Sequence, residues 1–247
     1  ILSSYIHPSF AVFIIYYAYH FCKYFKLSKY LFFLILYSLI LSIPFFFYVY
    51  SINIFDNFYG AEGFDVSFSQ SINLSNKIIV ILTMFLFFIF PIINIKKILK
   101  EIILIKALPL LIILFFGFLN IYFFNFPYIE GGAFGGGFFH KLSNILFNNN
   151  YFFYFTFIVS LFAIYGILSK NFDNLILLIV LILSNPQFTV YNKYFDPLIF
   201  ILFLTLFKLD IKNHFFKKKY KFIQLYVFSF IYLLIALIKS YLYAISF

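Results

Sequence analysis

The sequence predicts an all-α fold: a polytopic transmembrane helical bundle of about eight spans, with a short interfacial helix in an external loop. Three observations carry that expectation. The 247 residues are 65% hydrophobic and 11% charged, with a mean hydropathy of +1.03, well outside the range of soluble domains. Apolar stretches alternate with short polar links, and at about 20 residues per crossing the chain holds roughly eight of them. The basic residues fill every second link: Lys23, Lys26 and Lys29 the first, Lys96, Lys97, Lys100 and Lys106 the third, Lys170 the fifth, and Lys208, Lys212, Lys217, Lys218, Lys219 and Lys221 the seventh. Asp56, Glu62, Asp65, Glu130 and Asp196 fall in the lysine-poor links. Such a bias in short loops places the lysine-rich side in the cytoplasm.

The elements follow in order. A first apolar run covers residues 9–22. A second covers 30–52, with Pro44 as a kink that neighbouring helices must accommodate. The acidic link 53–77 lies outside. A third span, 78–95, carries Pro91 near its inner end, and residues 95–107 read as a basic interfacial helix leading into a fourth span that reaches 124. The external link 125–150 contains a short helix whose Phe138, Phe139, Leu142, Ile145 and Leu146 share one face. A fifth span, 151–168, ends in a tight internal turn at 169–174. The sixth, 175–184, and the seventh, which ends near 207, are short. The external link 185–196 joins them, and Pro197 stands at a helix start, where its missing N–H costs little. The eighth runs from 222 to 247. The whole reads as a single transmembrane domain over residues 1–247. Because the chain starts at Ile1, we expect a fragment lacking its N-terminal part.

Composition narrows the function. The net charge of +10 comes from lysines beside apolar spans, so it points to anionic lipid headgroups rather than nucleic acid. The 44 Phe and 22 Tyr accompany abundant Ile, Asn and Lys, the signature of nucleotide bias toward A and T, so aromatic stripes are not read as binding surfaces. The single cysteine, Cys22, excludes an internal disulfide and a multi-cysteine metal site. No ionisable residue falls clearly at a bilayer midplane, which argues against ion-coupled transport, proton relays and voltage sensing.

Two constellations could carry chemistry. In the first, Gly131, Gly132, Gly135, Gly136 and Gly137 precede the short external helix. Glycines ahead of a helix N-terminus expose backbone N–H groups to an anion, and His140 and Lys141 would add donors for a lipid-linked phosphate. The alternative is a flexible loop with an interface anchor. In the second, Tyr191, Asn192, Lys193 and Tyr194 lie at a break between two short spans. Lys193 would pair with a phosphate, and the tyrosines and Asn192 would donate hydrogen bonds. The alternative here is an ordinary hairpin with Tyr and Lys at headgroup level. Glu130, beside the glycines, is the best-placed general base, followed by Asp56 and Asp65 of the acidic link. The alternative for these acids is simple solvation. No spacing of His, Cys, Asp and Glu gives a metal signature, so neither a metal nor another cofactor is expected. Asn73-Leu74-Ser75 fits an N-glycosylation acceptor.

The run Lys193-Tyr194-Phe195-Asp196-Pro197, entering a late span, resembles the pattern in GT-C-type glycosyltransferases, among them the protein O-mannosyltransferases and the aminoarabinose transferases of lipid A. The resemblance covers about a dozen residues. It implies transfer of a sugar from a polyprenyl-phosphate donor to an acceptor on the non-cytoplasmic face, with Lys193 and Tyr194 touching the lipid phosphate. Two departures stand out. The family has Arg where this chain has Lys193, and its catalytic acid lies in a first external loop that would precede Ile1. The expected partners are a lipid-linked sugar phosphate and membrane lipids, in a bacterial inner membrane. A polymerase or a flippase for lipid-linked surface polysaccharide is the alternative.

Overall fold

The central helices begin where the sequence offers a side chain to cap them. The Asn73 carboxamide accepts a hydrogen bond from the Asn76 backbone N–H at 3.2 Å and starts a helix at Leu74. Asn171 does the same for Asp173, whose N–H lies 3.0 Å from its side-chain oxygen. At the other ends, Asn148 takes a left-handed conformation with φ 50° and stops the helix before it. Pro91 follows a helix that stops at Ile89.

The computed structural model describes residues 13–25, 29–51, 73–91, 95–126, 135–168, 171–184, 190, 198–199, 201–202, 205–208, 223–234 and 237. Among them, eight helices have defined bounds: α1 Phe13–Phe25, α2 Lys29–Ser51, α3 Leu74–Ile89, α4 Ile95–Ile103, α5 Ala107–Tyr122, α6 Gly137–Phe147, α7 Tyr151–Leu168 and α8 Phe172–Leu183. Residues 223–234 are also helical. The described residues contain no β-strand, only an isolated parallel bridge between Gly135 and Val190.

The all-α bundle is as expected, and several helix boundaries differ by a few residues, two of them with a clear local cause. The span expected over 78–95 starts four residues earlier, at Leu74, and stops at Ile89, where the chain turns at Phe90 and Pro91; the basic helix expected from 95 follows as α4. Helix α8, the sixth expected span, starts three residues earlier than expected, because Asn171 caps it and Asp173 sits in its first turn, where a carboxylate suits the helix dipole.

Helices α3 and α7 form the axis of the bundle. Ile79, Val80, Ile81, Phe85 and Ile89 of α3 are fully buried, as are Phe153 and Phe157 of α7. Around this pair pack α4, α5, α6 and α8, and α1 leans on α8. Gly117 lets α5 approach α7 closely: a Cβ there would stand 2.7 Å from Ile158 Cδ1.

Side chains sort in an unusual way. On α5, Leu108, Leu111, Ile112, Phe115, Phe118 and Tyr122 are all exposed, while its buried residues are Gly117 and Asn120. The described part of α2 and residues 223–234 likewise present large apolar side chains outward. Thr83, Thr156, Ser160 and Ser184 lie inside, each bonded to a carbonyl of its own helix. Among the described residues no helix is long and apolar enough to cross a membrane.

Candidate functional site

The glycine segment forms a joint. Gly135, Gly136 and Gly137 have φ values of 82°, 83° and 80°, a left-handed path that any Cβ would strain. That path sets Gly135 beside Val190, and the Gly136 N–H donates to the Val190 carbonyl at 2.9 Å. Helix α6 starts at Gly137, seated against Val80 and Met84 of α3. These contacts lie seven and eleven residues beyond Asn73, roughly 10–16 Å along α3, so the turn re-enters the bundle instead of lying across its end. Of the two glycines expected to meet substrate, Gly135 is half-buried and Gly136 is buried.

The joint closes over His140. This residue is 1% exposed, and its ring meets Phe124, Phe126 and Phe153 at centroid distances of 5.9, 5.5 and 5.0 Å. A Cβ on Gly136 would stand 2.5 Å from the imidazole Nδ1 and 3.1 Å from Phe126. Burial, with a smaller push from Lys141, lowers the His140 pKa to about 4, so the ring is neutral at pH 7. The exposed donor expected of His140 is here a packed, uncharged side chain. Lys141, next along α6, is half-buried.

Beside the joint lies a cavity of about 670 Å³, within the roughly 300–1,000 Å³ of ligand pockets. Its walls come from Leu86 and Phe87 of α3, Leu99 and Ile102 of α4, Phe138 and Phe139 of α6, the face of α7 from Phe152 to Ala163, and Phe228. Among the described lining residues Thr156 supplies the one hydroxyl, and it donates to the Phe153 carbonyl. The lining therefore offers hydrocarbon contact and almost no hydrogen bonding.

At the start of α3, three asparagines join the second and fourth links. The Asn73 amide nitrogen donates to the Phe123 carbonyl at 2.9 Å and to Asn125 Oδ1 at 3.0 Å. Asn76 and Asn125 bond reciprocally at 2.9 Å in each direction. The nitrogen that a glycan would need is engaged in this knot.

The opposite end holds a constellation that the sequence reading passed over. Asp173, 2% exposed, accepts hydrogen bonds from Tyr19 at 3.1 Å, Lys23 at 2.8 Å and Lys208 at 2.5 Å. Next to it, the Asn174 side chain clasps the Lys208 backbone, accepting from its N–H at 2.8 Å and donating to its carbonyl at 3.0 Å. Burial alone would raise the Asp173 pKa, but bonds from Lys208, Lys23 and Tyr19 outweigh it and hold the carboxyl well below the usual range. The hydrogen bond to Asp173 raises both lysines. The available signal was an acid in the tight turn that also holds Lys170, on the side where the lysines gather.

Glu130, Asp56 and Asp65, together with Tyr191, Asn192, Lys193 and Tyr194, lie outside the described residues. What the fold does bring together is the two segments that hold most of them, at Gly135, Gly136 and Val190. Among the described residues no three His, Cys, Asp or Glu side chains cluster as metal ligands would. No protein-family model, curated protein or solved structure matches the chain.

Proposed function

We propose that the chain is a membrane-embedded helical bundle of a bacterial inner-membrane glycosyltransferase that uses a polyprenyl-phosphate sugar donor. The membrane part of this reading is supported by side-chain sorting. Water favours apolar residues inside and polar ones outside. Here α5 turns its leucines and phenylalanines outward while Asn76, Thr83, Asn120 and Ser160 lie inside. Small and polar residues between helices with hydrocarbon outside suit lipid as the surrounding medium. The link sorting agrees: the first, fifth and seventh links meet at Asp173, and the second, fourth and sixth meet at the asparagine knot and the glycine joint.

The single observation that carries the transferase reading is the Gly136–Val190 hydrogen bond. It draws the two segments singled out for phosphate binding to one place, and Glu130 lies five residues before Gly135. In the proposed reaction an acceptor hydroxyl attacks the anomeric carbon and loses its proton to Glu130. The bond from that carbon to the phosphate oxygen breaks, and polyprenyl phosphate leaves with the electron pair. Lys193, with Tyr191, Asn192 and Tyr194, balances the phosphate charge. In the full-length protein, Lys193→Ala and Glu130→Gln should each lower transfer by about 10²-fold or more and leave membrane insertion unchanged. Normal transfer by both variants would remove this assignment.

A further inference from the structure

We propose that the cavity between α3, α4, α6 and α7 is a site for one anionic glycerophospholipid, held by an acyl chain in the cavity and by its phosphate on Lys96 and Lys100. The proposal rests on the membrane part of the reading above and is independent of sugar transfer. Helix α4 is the element that joins the two halves of such a ligand. Its sequence, Ile-Lys-Lys-Ile-Leu-Lys-Glu-Ile-Ile, carries three lysines against one glutamate in nine residues. Leu99, itself half exposed, and Ile102 line the cavity, and Lys96 and Lys100 are exposed. At 100° per residue, Lys96 lies 60° from Leu99 and Lys100 lies 100° from it. Both cations lie on the side of Leu99 away from Ile102, so they border one edge of the apolar face that enters the cavity, as on a helix lying at an anionic interface.

The cavity has the dimensions of one leaflet. Its α7 wall extends from Phe152 to Ala163, eleven residues or about 16 Å, close to half of the roughly 30 Å hydrocarbon core. Phe87 stacks on Phe138 at 4.6 Å and meets Phe139 at 5.8 Å at the end where α6 crosses. A chain extending from α4 would stop there. An uncharged or zwitterionic lipid could fill the same hydrocarbon space, but it would leave the net positive charge of α4 without a counterpart. The occupant is thus set by charge, with phosphatidylglycerol as its simplest representative.

Retention of palmitoyl-oleoyl phosphatidylglycerol and of the matching phosphatidylcholine can be measured by native mass spectrometry on the full chain in detergent. We expect phosphatidylglycerol to be kept in preference. Lys96→Gln and Lys100→Gln should each weaken it about fivefold, with phosphatidylcholine unaffected. Val159→Trp, at a half-open position of the cavity wall, should weaken both lipids. Circular dichroism on each variant establishes that the helices remain. Equal retention of the two lipids, or unchanged phosphatidylglycerol binding in the folded lysine variants, would overturn the site. Displacement of the lipid by inorganic phosphate alone would overturn the acyl-chain half. Lys193→Ala leaves this measurement untouched, so failure of the transferase assignment and failure of the lipid site are separate results.

Discussion

At the scale of single residues, buried polar groups separate two windows of acid sensitivity. His140 has a folded pKa near 4, below its usual value of about 6.5, so the folded state disfavours the imidazolium. Its contribution is complete above about pH 6.5 and fades as pH falls toward 4, a loss of about 3 kcal/mol in all. Asp173 behaves as a depressed carboxylate. The stability linked to its ionisation is present above the unfolded value near 3.9 and is lost at lower pH. Unfolding followed against pH should therefore show a first decline between 6.5 and 4 and a second below it. His140→Phe, which keeps an aromatic ring among Phe124, Phe126 and Phe153, should remove the first and spare the second. Asp173→Asn leaves Lys23 and Lys208 facing each other without a countercharge, and we expect it to destabilise by about 2 kcal/mol at neutral pH. Addition of 1 M salt should reduce that difference, because the lysines are partly exposed. The asparagine knot is what the sequence leaves dark, where Asn73 stands out only as a glycosylation acceptor. Nucleotide bias accounts for the number of asparagines, and nothing local announces that Asn73, Asn76 and Asn125 meet across some fifty positions.

At the scale of elements, the legible parts were those governed by short-range rules. Helix α7 occupies 151–168 as expected, because the polar run Asn148-Asn149-Asn150 halts the chain before an unbroken apolar stretch. Helix α4 was legible as a basic amphipathic segment. Its separation from α3 follows from Pro91, whose ring disfavours helix in the residue before it. The start of α8 was misplaced because hydropathy alone ignores a cap: Asp173 and Asn174 look like loop residues until Asn171 is recognised as the N-cap. The glycine turn was visible as composition, but its depth was not. Contacts with Val80 and Met84 show a re-entrant joint where an interface anchor had been expected. Gly136→Ala is the test of that joint. A methyl group at φ +83° collides with His140 and Phe126, so we expect a loss of about 2–4 kcal/mol and a marked rise in proteolysis near residue 136. A variant as stable as the parent would show that the turn relaxes freely.

At the scale of the whole molecule, the bundle is fastened at two ends by different chemistry. One end is ionic, with Lys23 and Lys208 on Asp173. The other is neutral, built from carboxamides, with the Gly136–Val190 bond set deeper in the bundle. Among the described residues, odd-numbered and even-numbered links group separately, as they do in any up-and-down bundle. On the proposed membrane reading, labelling tests which end faces the cytoplasm. In a Cys22→Ser background, single cysteines at Lys193 and Lys218 should react with an impermeant maleimide from opposite sides of sealed inside-out vesicles. Position 218 should label from the exposed cytoplasmic face and 193 only after permeabilisation. Reaction of 193 before permeabilisation would reverse the orientation and remove the donor side proposed for sugar transfer.

The left-handed run at 135–137 also bears on how this chain tolerates genetic drift. Every glycine triplet begins with two guanines, the base that A- and T-directed mutation depletes. A gene drifting that way tends to surrender such triplets wherever a side chain can be accommodated. At Gly136 a side chain would collide with His140, and at Gly137 the positive φ strains any side chain, so purifying selection must remove the triplets that lose guanine there. These two triplets should be among the slowest to change in the gene.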